Sequence, residues 1–252
     1  MTLLRLATAF ALSALVPVSG HAATNLVQNG DFLQSSGPVR QQIGAGLAGT
    51  AWVGTEFAHW TTSGYNFGFQ WQFIDHYGSP GRFGHLKLWG TNDGGLDQIT
   101  RNPGGGNIIA ADGAFEVVPI TQTVSGLTAG RKYQLDYTWA AGQQLNYDGA
   151  TTGNWTASLG AQSVTTPTYH LASHAFSGWM HERDIFTAAT STAVLSFLAH
   201  GEPAGEPPFS LLSGVSLTAV PEASTWLMMV AGFGVIGIAA RRRPCTARTV
   251  SA

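Results

Sequence analysis

Residues 120–140 read ITQTVSGLTAGRKYQLDYTWA and carry the clearest structural signal in the chain. Ile120, Gln122 and Val124 alternate with hydroxyl residues, and the apolar residues from Tyr133 onward alternate with polar ones. Successive side chains of a β-strand point to opposite faces, so this period of two predicts two half-buried strands. Because a glycine-rich turn joins them, we predict that the two strands pair with each other as an antiparallel hairpin.

Working outward, the same alternation recurs in short segments separated by turn residues. It is found at 155–159, 193–199 and 210–217, whereas helix-period patterns are nearly absent from 24–220. The chain has 32 glycines, and only 10% of its residues are charged. Many short strands joined by turns are typical of a β-sandwich, so we predict an all-β domain.

The first 23 residues have the organisation of a signal peptide. Arg5 precedes an apolar run at 6–18, and small residues follow at 19–23. A run of this length is shorter than the roughly 20 residues that a membrane-spanning helix needs. We therefore predict a signal peptide at 1–23 and export of the rest of the chain.

The C-terminal end carries a second apolar run, 225–240, which is followed by Arg241, Arg242 and Arg243. Positive residues stay on the cytoplasmic side, so we predict a transmembrane helix with its C-terminus in the cytoplasm. At 1.5 Å per residue the run covers about 24 Å, less than the hydrocarbon core of about 30 Å. The predicted helix is thus better suited to transient than to permanent anchoring.

The order of Pro221-Glu222, an apolar helix and Arg241–Arg243 resembles the PEP-CTERM sorting signal. Ala223 stands where that family usually has a second proline. The resemblance implies a sorting signal at 219–244, with a short tail at 245–252. It also implies a partner, an exosortase, which would recognise Pro221 and Glu222 and release the protein to the cell surface or the medium. The same tail is elsewhere named after ice-binding proteins.

The segment 24–218 remains as one exported domain, and its composition excludes some functions. Residues 24–220 contain seven Lys and Arg against thirteen Asp and Glu, a net charge of −6. An acidic domain without a basic stripe does not suit nucleic acid, so no such partner is predicted. The single cysteine, Cys245, lies beyond this domain, which therefore has no disulfide.

The exported domain also resembles known families. The block NLVQNGDF at 25–32 is similar to the opening strand of galactose-binding-like jelly rolls, the fold of many carbohydrate-binding modules. The blocks 105–115, 121–127 and 207–217 resemble one uncharacterised group of PEP-CTERM proteins. Together these resemblances imply a jelly-roll β-sandwich. Calcium-binding members of the fold have acids where this chain has Leu33 and Ser213, so we predict that this calcium site is absent.

Motifs of known catalytic or cofactor sites are missing from the sequence. There is no G-x-S-x-G, H-E-x-x-H or phosphate-binding loop. His170, His174 and His181 lie close in sequence but without metal-ligand spacing, so we interpret them as surface residues. Several carboxylates could supply the pair that glycoside hydrolysis requires, and the sequence does not select one. We predict no catalytic residue, metal or cofactor.

Tryptophan residues beside polar loops are the best candidates for ligand contact. Trp89 precedes the loop GTNDGG, which contains Asn92 and Asp93, and Trp52 and Trp60 also flank loops. Sugar rings stack on aromatic faces, and their hydroxyls bond with amides and carboxylates. We predict these five residues as ligand-binding, with an ordinary half-buried position as the alternative for Trp89.

The sequence thus predicts a non-catalytic, exported protein that is sorted by an exosortase and associates with exopolysaccharide or another glycan. A secreted enzyme acting on glycans is the first alternative, and a cleft with two facing carboxylates would favour it. An ice-binding or purely structural matrix protein is the second. The chain shows no repeat of fixed period, and ice binding therefore ranks last.

Overall fold

The computed structural model describes residues 24–36, 40–42, 56–62, 66–70 and 86–221, together with Phe233. In these ranges the regular structure consists of β-strands and one short 3-10 helix at Thr91–Asp93. The predicted all-β class is confirmed. The strands are β1 (Arg40–Gln42), β2 (Asn66–Gln70), β3 (Asn107–Asp112), β4 (Ile120–Ser125), β5 (Lys132–Gln143), β6 (Thr151–Leu159), β7 (Gln162–Thr165), β8 (Tyr169–Leu171), β9 (Met180–Thr187), β10 (Thr192–Glu202) and β11 (Pro208–Ala219).

The strands form two antiparallel sheets. The first has the order β1-β2-β3-β11-β5-β9, and the second has the order β4-β10-β6-β7, with β8 also paired to β6. Strands that follow one another in the chain mostly change sheet. This distributes β3, β11, β5 and β9 to one sheet and β4, β10, β6 and β7 to the other, the wrapping of a jelly roll. The jelly-roll β-sandwich that the resemblance implied is confirmed.

The predicted hairpin at 120–140 is wrong in its pairing, although both strands exist. β4 pairs with β10, whereas β5 lies between β11 and β9 in the opposite sheet. The connecting turn crosses between the sheets and is held by backbone bonds from Leu127 N to Ser191 O (3.1 Å) and from Gly130 N to Ala188 O (2.7 Å). Two strands whose apolar faces meet across a core show the same alternation as two strands that pair.

The segment 25–32, expected as an opening strand, forms bends and a turn instead. It is nevertheless fastened to β11, because Leu26 N donates to Leu217 O and Val215 N donates to Gly30 O, both at 2.9 Å. The chains approach so closely that a Cβ on Gly30 would lie 1.9 Å from Val215 O. The close contact explains why glycine occupies this position.

Large aromatic side chains fill the space between the two sheets. Trp139 and Trp155 are 1% and 0% exposed, and Tyr137 and Phe197 lie with them. Burial of such side chains is the main favourable contribution to folding a domain of this kind.

A second apolar cluster covers the outer face of the first sheet. Leu86, Leu88 and Ile99 pack there against Ile108 of β3 and Ala140 of β5. Hydrogen bonds from Trp89 N to Gln143 O (3.0 Å) and from Leu145 N to Lys87 O (2.8 Å) extend this attachment to the end of the sheet. The segment 86–99 is therefore fixed across the sheet, and this places Trp89 beside the β5–β6 connection.

The predicted signal peptide, 1–23, lies outside the described residues. The predicted membrane helix, 225–240, does so too, apart from Phe233. In the part of the chain that is described, no helix is long and apolar enough to cross a bilayer.

Candidate functional site

Three connections between strands meet at one end of the sandwich. They are β3–β4 (113–119), β5–β6 (144–150) and β10–β11 (203–207). Backbone hydrogen bonds tie them together: Gly113 N donates to Pro208 O at 2.9 Å, and Gln144 N donates to Pro207 O at 3.3 Å. Because these loops are fastened to the strands and to each other, side chains on them hold defined positions.

The loops enclose a pocket of about 220 Å³. Phe115, from the β3–β4 connection, and Tyr147, from the β5–β6 connection, present aromatic rings that are 55% and 38% exposed. Pockets for drug-sized ligands are larger, about 300–1,000 Å³, so this one suits a group of roughly one sugar ring. The lining consists of Asp112, Ala114, Phe115, Gln144, Tyr147, Gly205 and Pro207.

Asp112, at the end of β3, provides the charge in the pocket. Its Oδ1 accepts hydrogen bonds from Ala114 N (2.8 Å) and Phe115 N (3.1 Å). Its Oδ2 is buried and has no partner among the described residues. Burial raises the pKa of Asp112 from 3.8 to about 6, although the two backbone hydrogen bonds act in the opposite direction. At neutral pH the carboxylate is therefore ionised with one oxygen left to accept a hydrogen bond.

Trp89 supports the loop that carries Tyr147. The indole Nε1 donates to Tyr147 O at 2.8 Å, and the Trp89 ring stacks on His174 with centroids 3.8 Å apart. His174 Nε2 in turn lies 2.5 Å from Asp148 Oδ1. Trp89 is half-buried, as the alternative interpretation held, and its contact with a ligand stays a prediction.

Gln143, fully buried at the end of β5, fastens the same loop from inside. Its Nε2 donates to Gly149 O at 3.1 Å, and its Oε1 accepts from His174 N at 3.0 Å. Gly149 N also donates to Ser173 Oγ at 2.9 Å. The Tyr147 loop is thus attached at both ends to the segment around 173–174.

Replacing Trp89 by phenylalanine should loosen the Tyr147 loop without unfolding the domain. The ring stack on His174 can persist, whereas the hydrogen bond to Tyr147 O is lost at a cost of about 1 kcal/mol. Amide hydrogen exchange at 145–150 should therefore accelerate about fivefold, measured by mass spectrometry. The exposed Ile185→Ala serves as a control that should leave these amides unchanged. Unchanged exchange in Trp89→Phe would contradict the supporting role.

Asn92 and Asp93 were predicted beside Trp89, and they lie on the 3-10 helix at 91–93. Asp93 Oδ1 forms an ion pair with Lys87 Nζ at 2.7 Å, and Asn92 is exposed. Neither lines the pocket, so their ligand contacts stay predictions.

Trp60 does not line this pocket either. Trp60 is 7% exposed, packs against Phe32 and Phe197, and donates its Nε1 to Asn29 O at 3.0 Å. It is part of the core, and Trp52 lies outside the described residues. A larger pocket, of about 520 Å³, has Trp60 in its lining together with His59 and Thr61, so contact of Trp60 with a ligand stays a prediction.

The three histidines considered as metal ligands are dispersed. His174 contacts Asp148, His181 lies 3.4 Å from Asp136, and His170 is exposed on β8. Among the described residues, no three His, Cys, Asp or Glu side chains come close enough to hold an ion.

Ser213 and Leu33 occupy the positions considered for calcium. Ser213 is fully buried, and its Oγ accepts from Asn102 Nδ2 and donates to Asn107 O at 3.0 Å. Leu33 is 60% exposed. Direct hydrogen bonds within the protein therefore satisfy the Ser213 hydroxyl.

The sequence reasoning missed the residues that line the pocket. Asp112 was noted only as one carboxylate among many, and Phe115 and Tyr147 were not considered. The available signal was local: each aromatic residue stands in a short glycine- and aspartate-containing turn, DGAF at 112–115 and NYDG at 146–149. An aromatic residue in such a turn is exposed unless another segment covers it.

Comparison with known protein families identifies a sorting motif in the C-terminal part of the chain. Residues 219–243 match the family model of the PEP-CTERM protein-sorting motif. This motif indicates an exported surface protein that an exosortase sorts. The resemblance drawn from Pro221, Glu222 and the arginines at 241–243 is confirmed as a motif. No curated protein matches the chain.

Solved structures similar to the domain include carbohydrate-binding modules. TmCBM61 in complex with β-1,4-galactotriose is 11% identical, with a TM-score of 0.42 over 79% of this chain and all of its own. The CBM22-1 xylan-binding domain of Paenibacillus barcinonensis Xyn10C is 7% identical, with a TM-score of 0.37 over 81% and 100%. The N-terminal cellulose-binding domain of Cellulomonas fimi β-1,4-glucanase C is 21% identical, with a TM-score of 0.31 over 52% and 86%. These scores are low, so the fold assignment rests on the strand order of the chain itself.

Proposed function

We propose that this protein is a non-catalytic, glycan-binding component of the cell surface or extracellular matrix. It would cross the inner membrane, be held there briefly by its C-terminal helix, and remain outside after exosortase processing at the sorting signal. The jelly roll would then bind exopolysaccharide, or another glycan, through the pocket at its loop end.

The observation that carries this proposal is the composition of that pocket. An ionised carboxylate with a buried, unpartnered oxygen stands beside two exposed aromatic rings. A sugar can satisfy both features at once, because its hydroxyls donate to a carboxylate and its C–H faces pack on aromatic rings. An apolar ligand would leave the Asp112 oxygen without a partner, which costs about 1–3 kcal/mol or more.

Charge narrows the class of glycan. The domain has a net charge of −6 over 24–220, and the pocket adds an ionised carboxylate. An acidic polysaccharide would be repelled by both, so the proposed ligand is uncharged.

The pocket also supports binding over hydrolysis. Glycoside hydrolysis needs two carboxyl groups about 5–10 Å apart across the scissile bond. Asp112 is the carboxylate among the described lining residues. A glycan-active enzyme remains the alternative, and release of reducing sugar from a bound polysaccharide would establish it.

Truncating either ring should weaken glycan binding strongly. The full chain, purified in mild detergent, would be tested against galactan, xylan and the producing organism's own exopolysaccharide by affinity electrophoresis and calorimetry. Phe115→Ala and Tyr147→Ala should each reduce affinity by about tenfold, since truncating a central contact commonly costs more than 1 kcal/mol.

Ile185→Ala provides a matched control, because Ile185 is also an exposed hydrophobic residue but lies on β9, away from the pocket. It should bind as the unmodified chain does. If the unmodified chain retains no polysaccharide, the proposal is wrong. If both ring variants bind the polysaccharide as tightly as the unmodified chain does, the glycan binds elsewhere on the protein.

A further inference from the structure

A second pocket, of about 360 Å³, lies next to the first. Its walls include Ala150 and Thr152 on the β5–β6 side, and Glu202 and Pro203 on the β10–β11 side. The first pocket is built from the same two connections, through Tyr147 and Gly205 among others. The same two segments of the chain therefore contribute residues to both pockets.

The length of these segments limits the distance between the pockets. A chain spans at most about 3.3–3.6 Å per residue, so the Cα atoms of Tyr147 and Ala150 are within about 11 Å. By the same rule Pro203 and Gly205 are within about 7 Å. An oligosaccharide of two or three rings is long enough to occupy both pockets.

Gly149 lies along the chain between Tyr147 of the first pocket and Ala150 of the second, and it marks the ridge between the pockets. A Cβ on Gly149 would lie 3.7 Å from Glu206 Cγ and Cδ, and Gly149 has φ of 108°, which strongly favours glycine. The ridge therefore carries no side chain from Gly149. Glu206 Oε2 is buried beside Gly149 and lacks a partner among the described residues.

The second pocket presents polar groups suited to sugar hydroxyls. The register places Thr152 of β6 opposite His170 of β8 on one side and Glu202 of β10 on the other. These three side chains supply a hydroxyl, an imidazole and a carboxylate in one row across the sheet. Hydrogen-bonding groups of this kind select sugars by their hydroxyl positions.

We propose that the second pocket binds further sugars of the same glycan chain, so that the ligand is an uncharged oligosaccharide lying lengthwise across the Gly149 ridge. This inference rests on the proposed function. It adds that an internal segment of polysaccharide, rather than a terminal sugar alone, is recognised. Affinity should then rise with chain length and should depend on Thr152 only when the chain is long enough to cross the ridge.

The test uses the full chain and oligosaccharides of one to five sugars. They are prepared from whichever of the polysaccharides named above the protein binds. Affinity should increase at least tenfold from one sugar to five. Thr152→Arg, which fills the second pocket, should abolish that increase and leave single-sugar affinity unchanged. Thr123→Arg introduces the same side chain at an exposed position of β4 and should have no effect.

The outcomes separate the two proposals. The proposal for the second pocket is wrong if affinity does not depend on chain length, or if Thr152→Arg binds the pentasaccharide with full affinity. Either result leaves the proposal for the first pocket in place. No binding by the unmodified chain overturns both. If Thr152→Arg fails to fold, His170→Ala replaces it in the test, because it truncates an exposed residue of the same pocket. This variant should lower pentasaccharide affinity about threefold. An unchanged affinity would contradict the inference equally.

Discussion

Replacing Phe197 by alanine is expected to lower the free energy of unfolding by about 3–5 kcal/mol. Phe197 is 0% exposed, on the inner face of β10. Its ring centroid lies 5.1 Å from that of Tyr137, 6.2 Å from Trp155 and 6.3 Å from Trp60. These rings come from both sheets and from the segment 56–62, so one cavity would remove contacts that join all three parts.

Urea unfolding, followed by tryptophan fluorescence and by circular dichroism, measures the effect. Val194→Ala is the matched control on the same strand, because Val194 is 47% exposed on the opposite face. Its change should stay below about 1 kcal/mol. Equal losses in the two variants would contradict the placement of Phe197 at the centre of the core.

The inner faces of the strands could be predicted from sequence, but their partners could not. Alternation at 120–125 and 133–139 correctly assigned the buried apolar face of both strands, although Thr138 on the polar face of β5 is buried too. The partner of β4 is β10, and those of β5 are β9 and β11, all of which begin about 50 to 75 residues further along the chain. Periodicity records only which face is apolar, whereas pairing depends on contacts between distant segments that no local pattern encodes.

The candidate site was predicted less well, for a related reason. Trp89 was expected to contact a ligand beside a polar loop, and its Nε1 and its ring face are engaged by Tyr147 and His174, from two other connections. Asp112 terminates a strand whose residues are all buried, so its own burial follows from neighbours on β10 and β11. Sites built from several loops require the topology before their residues can be grouped.

Asp112→Asn should stabilise the domain at neutral and alkaline pH. The pKa of Asp112 is about 6 in the folded protein against 3.8 ordinarily, so between these values the folded state binds more protons than the unfolded state. The contribution to stability is then fully present below about pH 4 and is lost as the pH rises through 6. At 1.36 kcal/mol per unit the loss is about 3 kcal/mol.

Asparagine stays neutral, and its Oδ1 can accept the same two bonds from Ala114 N and Phe115 N. Urea unfolding of parent and variant at pH 4 to 8 should therefore give similar stabilities at pH 4 and a more stable variant at pH 7 to 8. A residual slope of the same sign should persist, because burial and the charge of Glu182 raise the pKa of Asp184 too. A variant less stable than the parent at pH 8 would contradict the burial of an ionised, partly unsatisfied carboxylate.

The same substitution should reduce glycan binding by at least tenfold at pH 8. It replaces the unpartnered Oδ2 by an amide nitrogen, which donates and cannot accept a hydroxyl proton. In the parent, binding should strengthen as the pH rises through about 6, because the ionised carboxylate is the stronger acceptor.

Stability and binding thus change in opposite directions, as expected of a charge that is buried for recognition rather than for folding. If Asp112→Asn is more stable and still binds fully at pH 8, this carboxylate is not the acceptor of a sugar hydroxyl, and the pocket loses the observation that supports it.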